Sequence, residues 1–303
     1  MAEYVIETQG LTVYYGRHRG ILNVDLQVEQ GEIFGFLGPN GAGKTTTQRV
    51  LLDVIRPTRG SAAIFGLDCQ REGVAIRRRV GYLPGELSLP EGMTARQYFK
   101  TLSSIRGGND HAYERELCER LDLNPNRKMR EYSRGNKQKV GLVAALMHKP
   151  DLLILDEPTT GLDPLVQQTV LELVREARVG GRSVFFSSHI LPEVQAVCDR
   201  VGIIRDGELV ATERVETLTR QQFRRVRLSF DQMPPANAFA LEGITETYRD
   251  ERAVLLEIRQ NMGQALATAA PYGITDIETP PVSLEEIFLA YYGRQAAEGG
   301  NHA

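Results

Sequence analysis

The sequence predicts an α/β protein with a β-rich N-terminal part, a mostly parallel core sheet, a helical insertion and a small α+β domain at its C-terminal end. Between Tyr4 and Asp206, short β-rich runs alternate with helical stretches, the element order of an α/β fold. Residues 152–155 and 184–186 are apolar throughout, as in central parallel strands covered on both faces. After Leu218 the pattern changes, which predicts a second domain.

The first predicted domain spans residues 1–218. From about Pro90 to Lys149 the sequence changes to helical patterns, at 94–105 and 113–121, so we predict a helical insertion at about 88–149. The segments of this domain with the composition of strands are residues 33–37, 62–65, 152–155, 183–187 and 201–204.

The second predicted domain spans residues 219–293. A loop around Pro234 and Pro235 separates its first two strand-like runs. A capping box beginning at Ser283 predicts a last helix that ends at Tyr292, and residues 294–303 are expected to be disordered. The other predicted elements are strands at 226–230, 253–258 and 274–277 and a helix at 264–270.

Composition and charge exclude several classes of protein. The formal net charge of −3 provides no bulk positive field for nucleic acid, so no nucleic-acid partner is expected. Cys69, Cys118 and Cys198 lie far apart, which argues against a zinc site or a disulfide framework. The N-terminus lacks the pattern of a secretory signal, and no run of 18 apolar residues occurs, so we expect a cytoplasmic chain that does not cross a membrane by itself.

The strongest motif is a glycine-rich loop at residues 38–45, which fits G-x-x-x-x-G-K-[ST] between a predicted strand and a predicted helix that ends before Pro57. In such a loop backbone N–H groups face the phosphates, the lysine reaches the β- and γ-phosphates and the hydroxyl holds Mg²⁺. A chance glycine turn before a helix is the alternative. The predicted nucleotide contacts are Gly38, Pro39, Asn40, Gly41, Ala42, Gly43, Lys44, Thr45 and Thr46.

Two adjacent carboxylates, Asp156 and Glu157, end the apolar run at 152–155. In this arrangement one acid supports Mg²⁺ and the next can polarise a water. We therefore predict Asp156 as a metal ligand together with Thr45, and Glu157 as the general base. Without the glycine-rich loop, two acids that merely cap a strand before Pro158 would be the default interpretation.

Over residues 4–215, this ordered set of motifs resembles the ATP-binding cassette (ABC) family, the nucleotide-binding subunits of ABC transporters. Residues 132–139 resemble the start of the signature helix, and residues 161–163, which end in Asp163, resemble the D-loop. His189 ends a predicted strand as the family's switch histidine does, and Tyr15 matches the aromatic residue that stacks on adenine. A packed surface tyrosine and a strand-end histidine are the alternatives for these two residues.

The resemblance implies a second ATP-binding subunit, either another copy of this chain or a paralogue. Ser133 and Gly135 open a predicted helix, so a hydroxyl and backbone N–H groups are available for γ-phosphate oxygens. In the family, that phosphate is bound by the opposite subunit. One phosphate loop and one signature segment per chain therefore predict ATP-dependent dimerisation.

The sequence departs from the family pattern at two places. Tyr132, Arg134 and Asn136 replace the first, third and fifth residues of the common L-S-G-G-Q signature, and signatures of this type resemble those of bacterial drug- and antibiotic-exporter ATPases. Gly85 occupies the position where the family usually has a glutamine that contacts Mg²⁺ and the attacking water. We predict that the adjacent Glu86 is a substitute Mg²⁺ ligand; altered coupling to the membrane partner is the alternative.

These observations predict the ATP-hydrolysing subunit of an ABC transporter, with ATP and Mg²⁺ as cofactors and Glu157 and His189 as catalytic residues. The signature favours an exporter in which a separate polytopic permease carries the substrate path and this chain lies on the cytoplasmic face of the cell membrane. Two alternatives remain open: an ABC ATPase that acts on ribosomes or DNA, and an ATP-dependent regulator that hydrolyses weakly.

Overall fold

The computed structural model describes residues 4–108, 110–220 and 224–280. The chain divides into two compact units, of which the first ends at Val215 and the second begins at Glu216. The helix predicted to begin at Ser283 and the tail predicted at 294–303 lie outside the described residues.

The first unit combines an antiparallel sheet with a larger, mostly parallel one. Its strands are β1 (Tyr4–Tyr15), β2 (His18–Glu29), β3 (Ile33–Leu37), β4 (Arg59–Ile64), β5 (Leu67–Asp68), β6 (Val80–Leu83), β7 (Leu152–Asp156), β8 (Ser183–Ser188), β9 (Arg200–Arg205) and β10 (Glu208–Arg214). Its helices are α1 (Lys44–Leu51), α2 (Gly73–Arg79), α3 (Ala95–Arg106), α4 (His111–Arg120), α5 (Arg134–Leu146), α6 (Pro164–Val179) and α7 (Leu191–Val197), and α8 (Val215–Arg220) follows.

The larger sheet has the strand order β10-β9-β3-β8-β7-β6, with β10 antiparallel to β9 and the other neighbours parallel. Every residue of β3, β7 and β8 is buried, and the Phe185 ring packs between Phe34 and Phe36 at centroid distances of 6.0 and 5.2 Å. Burial on both faces explains why these strands are apolar without alternation. The predicted α/β fold with a mostly parallel core sheet is confirmed.

The antiparallel sheet has the order β2-β1-β4-β5 and accounts for the predicted β-rich N-terminal part. The long β1–β2 hairpin turns between Tyr15 and His18, where Gly16 adopts a left-handed φ of 61°. Buried aliphatic side chains of this hairpin, including Leu11, Ile21 and Leu26, belong to the same core cluster as Phe34 and Phe36 of β3.

Helices α3, α4 and α5 lie between β6 and β7, and α3 and α4 begin within two residues of the predicted positions. A capping box of Thr94 and Gln97 opens α3, and the Asp110 carboxylate caps α4. The insertion is tied to β6, because Arg106 Nη1 lies 2.7 Å from His148 Nε2 and 3.4 Å from the Val80 carbonyl oxygen. Burial, followed by the charge of Arg106, lowers the pKa of His148 to about 4, so the ring is neutral at pH 7.

The second unit contains most of α8, an antiparallel sheet in the order β12-β13-β11-β14 and helix α9 within the described residues. Leu228, Leu256 and Ala265 are fully buried in its core, together with Phe239 from the loop after β11. The predicted strands at 226–230, 253–258 and 274–277 and the predicted helix at 264–270 are confirmed. The elements are β11 (Arg224–Phe230), β12 (Ile244–Arg249), β13 (Ala253–Ile258), α9 (Met262–Ala269) and β14 (Ile274–Glu278).

Candidate active site

The predicted catalytic residues meet at the carboxyl ends of three neighbouring strands, β3, β7 and β8. Leu37 pairs with Ser188 and Asp156 pairs with Ser187, so the three strands end at the same level of the sheet. The glycine-rich loop follows β3, Asp156 is the last residue of β7 with Glu157 directly after it, and His189 follows β8. Parallel strands thus bring together residues that are more than 100 positions apart in the sequence.

The glycine-rich loop leads directly into α1, which begins at Lys44. Gly43 has a φ of 112°, and a Cβ added there would lie 2.6 Å from Ile21 Cγ2, so only glycine fits without a shift. The first N–H groups of a helix have no intrahelical partners. The loop and the first turn of α1 therefore form a site of the kind that binds phosphate.

The Lys44 side chain is 5% exposed and lies within the loop. Its Nζ donates hydrogen bonds to the carbonyl oxygens of Gly38 and Pro39 at 2.7 and 3.1 Å. The same atom lies 3.4 Å from Glu157 Oε1. The lysine therefore joins the phosphate loop to the acid predicted as the general base.

Each oxygen of the Asp156 carboxylate accepts a hydrogen bond from a hydroxyl group. Thr45 Oγ1 donates to Asp156 Oδ2 at 2.7 Å, and Ser187 Oγ donates to Oδ1 at 2.6 Å. A carboxylate and a hydroxyl oxygen at hydrogen-bond distance are ligand types that Mg²⁺ prefers. The donor set of Thr45 and Asp156 therefore fits Mg²⁺. Ser187 is not among the residues predicted for the site.

Glu157 has a left-handed φ of 50°, which is strained for a residue with a side chain. Three hydrogen bonds support this conformation. The Glu157 N–H is shared between the carbonyl and hydroxyl oxygens of Ser187, both at 3.2 Å, and Gln138 Nε2 donates to the Glu157 carbonyl at 3.2 Å. The strained backbone at this position turns the chain directly after the strand.

The Glu157 carboxylate lies close to the side chains of both Lys44 and His189. His189 Nδ1 is 3.1 Å from Glu157 Oε1. Burial alone would raise the pKa of Glu157, but Lys44 and His189 outweigh it and lower the pKa below its ordinary value. The carboxylate is therefore ionised at neutral pH, as proton acceptance requires.

Tyr15 lies beside the phosphate loop, with its hydroxyl oxygen 3.4 Å from Thr46 Oγ1. Its ring is 45% exposed and so presents an aromatic face that a base could cover. A Cβ at Gly20 would lie 2.9 Å from the Tyr15 ring, so this glycine makes room for the aromatic side chain.

Ser133, Gly135 and Asp163 lie at the starts of two helices. Ser133 Oγ caps α5 by accepting from the Asn136 N–H at 3.3 Å, and Asp163 Oδ1 caps α6 at 3.1 Å. A Cβ at Gly135 would lie 2.7 Å from the Gly161 carbonyl oxygen, so glycine lets the two segments approach closely. In the part of the chain that the structure describes, none of the three hydrogen-bonds to Lys44, Thr45 or Glu157.

Glu86 is exposed, and within the described ranges no hydrogen bond or ion pair joins it to Thr45 or Asp156. The neighbouring residue, Gly85, lies close to Asp156, because a Cβ added at Gly85 would lie 2.9 Å from Asp156 Oδ2. The role of Glu86 as a Mg²⁺ ligand stays a prediction.

Known proteins are similar to this chain in sequence and in fold. A family profile described as ABC transporter matches residues 21–160. The bacitracin transport ATP-binding protein BcrA of Enterococcus faecalis is 31% identical, over 96% of this chain and 97% of the relative. The chain belongs to the ABC transporter family. The daunorubicin/doxorubicin resistance ATP-binding protein DrrA of Streptomyces peucetius is 33% identical, over 96% of this ABC protein and 93% of the relative.

A solved ATP-binding subunit of an ABC transporter superposes on this chain with a TM-score of 0.66 and 30% identity, covering 72% of this chain and 92% of the other. The chain is thus an ABC ATP-binding subunit with the P-loop NTPase fold, and ATP hydrolysis is the activity of these subunits. Among the described helices of this ABC protein, none has both the length and the apolar content needed to span a bilayer.

The contact between Gly85 and Asp156 leads to a testable prediction for this ABC ATPase. Gly85→Ala would place a methyl group 2.9 Å from an oxygen that already accepts the Thr45 hydrogen bond. We expect the displaced carboxylate to lower kcat for ATP by about tenfold. Gly92→Ala is the matched control, because a Cβ there meets nothing within 4 Å. Equal kcat values for the two variants in a phosphate-release assay would refute the prediction.

Proposed function

We propose that this chain is the ATP-hydrolysing subunit of an exporter, held at the cytoplasmic face of the cell membrane by a separate polytopic permease. One observation carries the proposal: Glu157 lies 3.4 Å from Lys44 and 3.1 Å from His189, directly beside the phosphate loop. The names of the relatives, a bacitracin transport protein and a daunorubicin/doxorubicin resistance protein, support export as the direction.

The nucleotide is proposed to bind along residues 38–46, with its adenine on the exposed Tyr15 ring. Lys44 would exchange its bonds to loop carbonyls for bonds to the β- and γ-phosphates. Thr45 and Asp156 would hold Mg²⁺, and Glu86 is proposed as a further ligand. When bound, Mg²⁺ offsets the negative charge on the phosphate oxygens.

Hydrolysis is proposed to begin when the ionised Glu157 carboxylate accepts a proton from the attacking water. The cationic Lys44 keeps this carboxylate charged until the proton arrives. The His189 ring, in contact with Oε1, would orient the carboxylate. Ser187 fixes the carboxylate of Asp156 and the backbone of Glu157 at once, so both acids keep their relative positions.

A second ATP-binding subunit, either another copy of this chain or a paralogue, is proposed to complete the site. Ser133, Gly135 and Asp163 lie at the starts of α5 and α6, and the absence of a side chain at Gly135 lets the two segments approach closely. These residues would face the nucleotide of the other subunit. In this proposal residues 1–218 form the nucleotide-binding domain with its insertion at 88–149, and residues 219–293 form the second domain.

The proposal is tested by isolating the tagged chain from detergent-solubilised native membranes and identifying its partners by mass spectrometry. We expect a polytopic membrane protein in stoichiometric amount, and its absence from a parallel preparation of untagged cells. Ribosomal or DNA-bound proteins in its place, with the chain missing from membranes, would support the alternative of an ABC ATPase that acts on those partners and would refute the exporter.

A weakly hydrolysing regulator is the second candidate function, because Gly85 replaces the usual glutamine and Glu86 is exposed. The two candidates differ in steady turnover. Sustained phosphate release by the purified chain that disappears in Glu157→Gln would reject the regulator, whereas a single turnover followed by a stable ATP-bound state would favour it.

A further inference from the structure

Helix α7 carries a buried carboxylate, Glu193, that belongs neither to the phosphate loop nor to the acids of β7. The residue is 9% exposed. Its Oε1 accepts a hydrogen bond from Thr159 Oγ1 at 2.6 Å, and its Oε2 accepts one from Ser188 Oγ at 2.8 Å. A buried charge is costly unless it is hydrogen-bonded, and bonds to a carboxylate are among the strong ones.

The two hydroxyl donors flank the pair formed by Glu157 and His189. Thr159 lies two residues after Glu157, in the turn that follows β7, and Ser188 directly precedes His189. Ser188 Oγ also accepts from the Ile190 N–H at 2.9 Å, so it holds the backbone on the far side of the histidine as well. One carboxylate therefore connects the two segments that carry the proposed catalytic residues.

We infer that Glu193 is a positioning residue for ATP hydrolysis: it fixes the segment of His189 against the turn after Glu157 and so keeps His189 Nδ1 beside Glu157 Oε1. This inference rests on the proposed roles of Glu157 and His189. A carboxylate is required because two hydroxyl groups donate to it at once, whereas an amide offers only one oxygen acceptor.

The docking of α7 does not depend on Glu193 alone, which allows positioning to be separated from stability. Val194 is fully buried and Leu191 is nearly so. Arg175 on α6 donates from Nε and Nη2 to the Ala196 carbonyl oxygen at 3.3 and 3.1 Å, near the end of α7 that is farther from the site. Arg175→Met therefore loosens the same helix without touching Thr159 or Ser188 and is the matched control.

The test measures kcat and KM for ATP with the purified full chain. Three variants, Glu193→Gln, Thr159→Val and the double variant that combines these two changes, are compared with the control Arg175→Met. We expect Glu193→Gln to lower kcat about tenfold with KM within about twofold of the unchanged protein. Thr159→Val should lower kcat by less than Glu193→Gln does. The kcat of the double variant should be close to that of Glu193→Gln, because both changes act on the same hydrogen bond between Thr159 and Glu193. Arg175→Met should keep its kcat, and thermal unfolding shows which variants remain folded.

A second readout follows the position of His189 directly. Long-range ¹H–¹⁵N spectra of the imidazole nitrogens, with the His189 signals assigned by their loss in His189→Gln, should show a shift in Glu193→Gln and none in Arg175→Met. Unchanged kcat and unchanged signals in both Glu193→Gln and Thr159→Val would overturn the inference, as would an equal loss of kcat in Arg175→Met. Glu157→Gln is measured in parallel. If Glu157→Gln retained turnover, the proposed catalytic roles of Glu157 and His189 would be wrong. If Glu157→Gln were inactive and Glu193→Gln fully active, only the positioning role of Glu193 would be refuted.

Discussion

Glu157→Gln is expected to lose steady ATP turnover by about a hundredfold or more while it still binds ATP. The amide fills the same volume beside Lys44 and His189 but cannot take the proton of the attacking water. Phosphate release measures turnover, and titration with a fluorescent ATP analogue measures binding. Because hydrolysis no longer removes the nucleotide that joins two subunits, light scattering in ATP should show a stable dimer.

Glu208→Gln is the control for the loss of one negative charge, because Glu208 lies on the surface and pairs only with the exposed Arg19 among the described residues. Its turnover should equal that of the unchanged protein. If Glu157→Gln stayed monomeric in ATP, the proposed dimer would be wrong. If it turned over ATP at the rate of the control, Glu157 would not be the general base.

Lys44→Ala is expected to weaken ATP binding by about a hundredfold or more, which corresponds to at least about 2.7 kcal/mol. The substitution removes the buried cation of the phosphate loop, which lies 3.4 Å from Glu157 Oε1. The two negative groups, the triphosphate and the Glu157 carboxylate, would then face each other without a positive charge between them. Isothermal titration with ATP gives the affinity directly.

Lys149→Ala provides the comparison for this second prediction. Lys149 is half exposed and pairs with Asp110 at 2.8 Å on the surface, so its loss should leave ATP affinity unchanged. ATP affinity of Lys44→Ala within about threefold of Lys149→Ala would contradict the proposed phosphate contact. Far-ultraviolet circular dichroism of both variants checks that neither has lost its helices.

The core sheet and the phosphate loop are predictable from sequence because their signals are local. Residues 33–37 are predicted as a strand and form β3 without a shift in either end. A parallel strand that is covered on both faces has a run of consecutive apolar residues, and a phosphate loop has glycine where the backbone turns. Each of these signals lies within a few consecutive residues.

The partners of Asp156 and Glu193 are not predictable in this way. Ser187 reaches Asp156 because the register of β7 and β8 pairs those two residues, and strands that are buried on both faces lack the alternation from which a register could be predicted. Strand β6 escaped prediction for a related reason. Its Gly81 weakens the strand pattern, yet a Cβ there would collide with the Ala145 carbonyl oxygen of α5.

The edge strand β12 was also missed, because several of its residues are polar and face away from the core, so only Ile244 is buried. Its partner β13, with four buried residues, was predicted in full. Strand prediction thus follows the amount of apolar surface that a strand contributes to the core.

The bonds between Lys44 and its own loop affect the entropy of nucleotide binding. A lysine side chain that becomes fixed loses up to about 2 kcal/mol of rotamer freedom. Here that loss has already occurred during folding, because Nζ is buried and bonded to Gly38 and Pro39. In the proposed binding mode, ATP would meet an immobilised cation, and its arrival would exchange hydrogen-bond acceptors without ordering a flexible side chain. Preorganisation of this kind favours a higher affinity for ATP, while the entropy lost by Lys44 during folding lowers the stability of the folded chain.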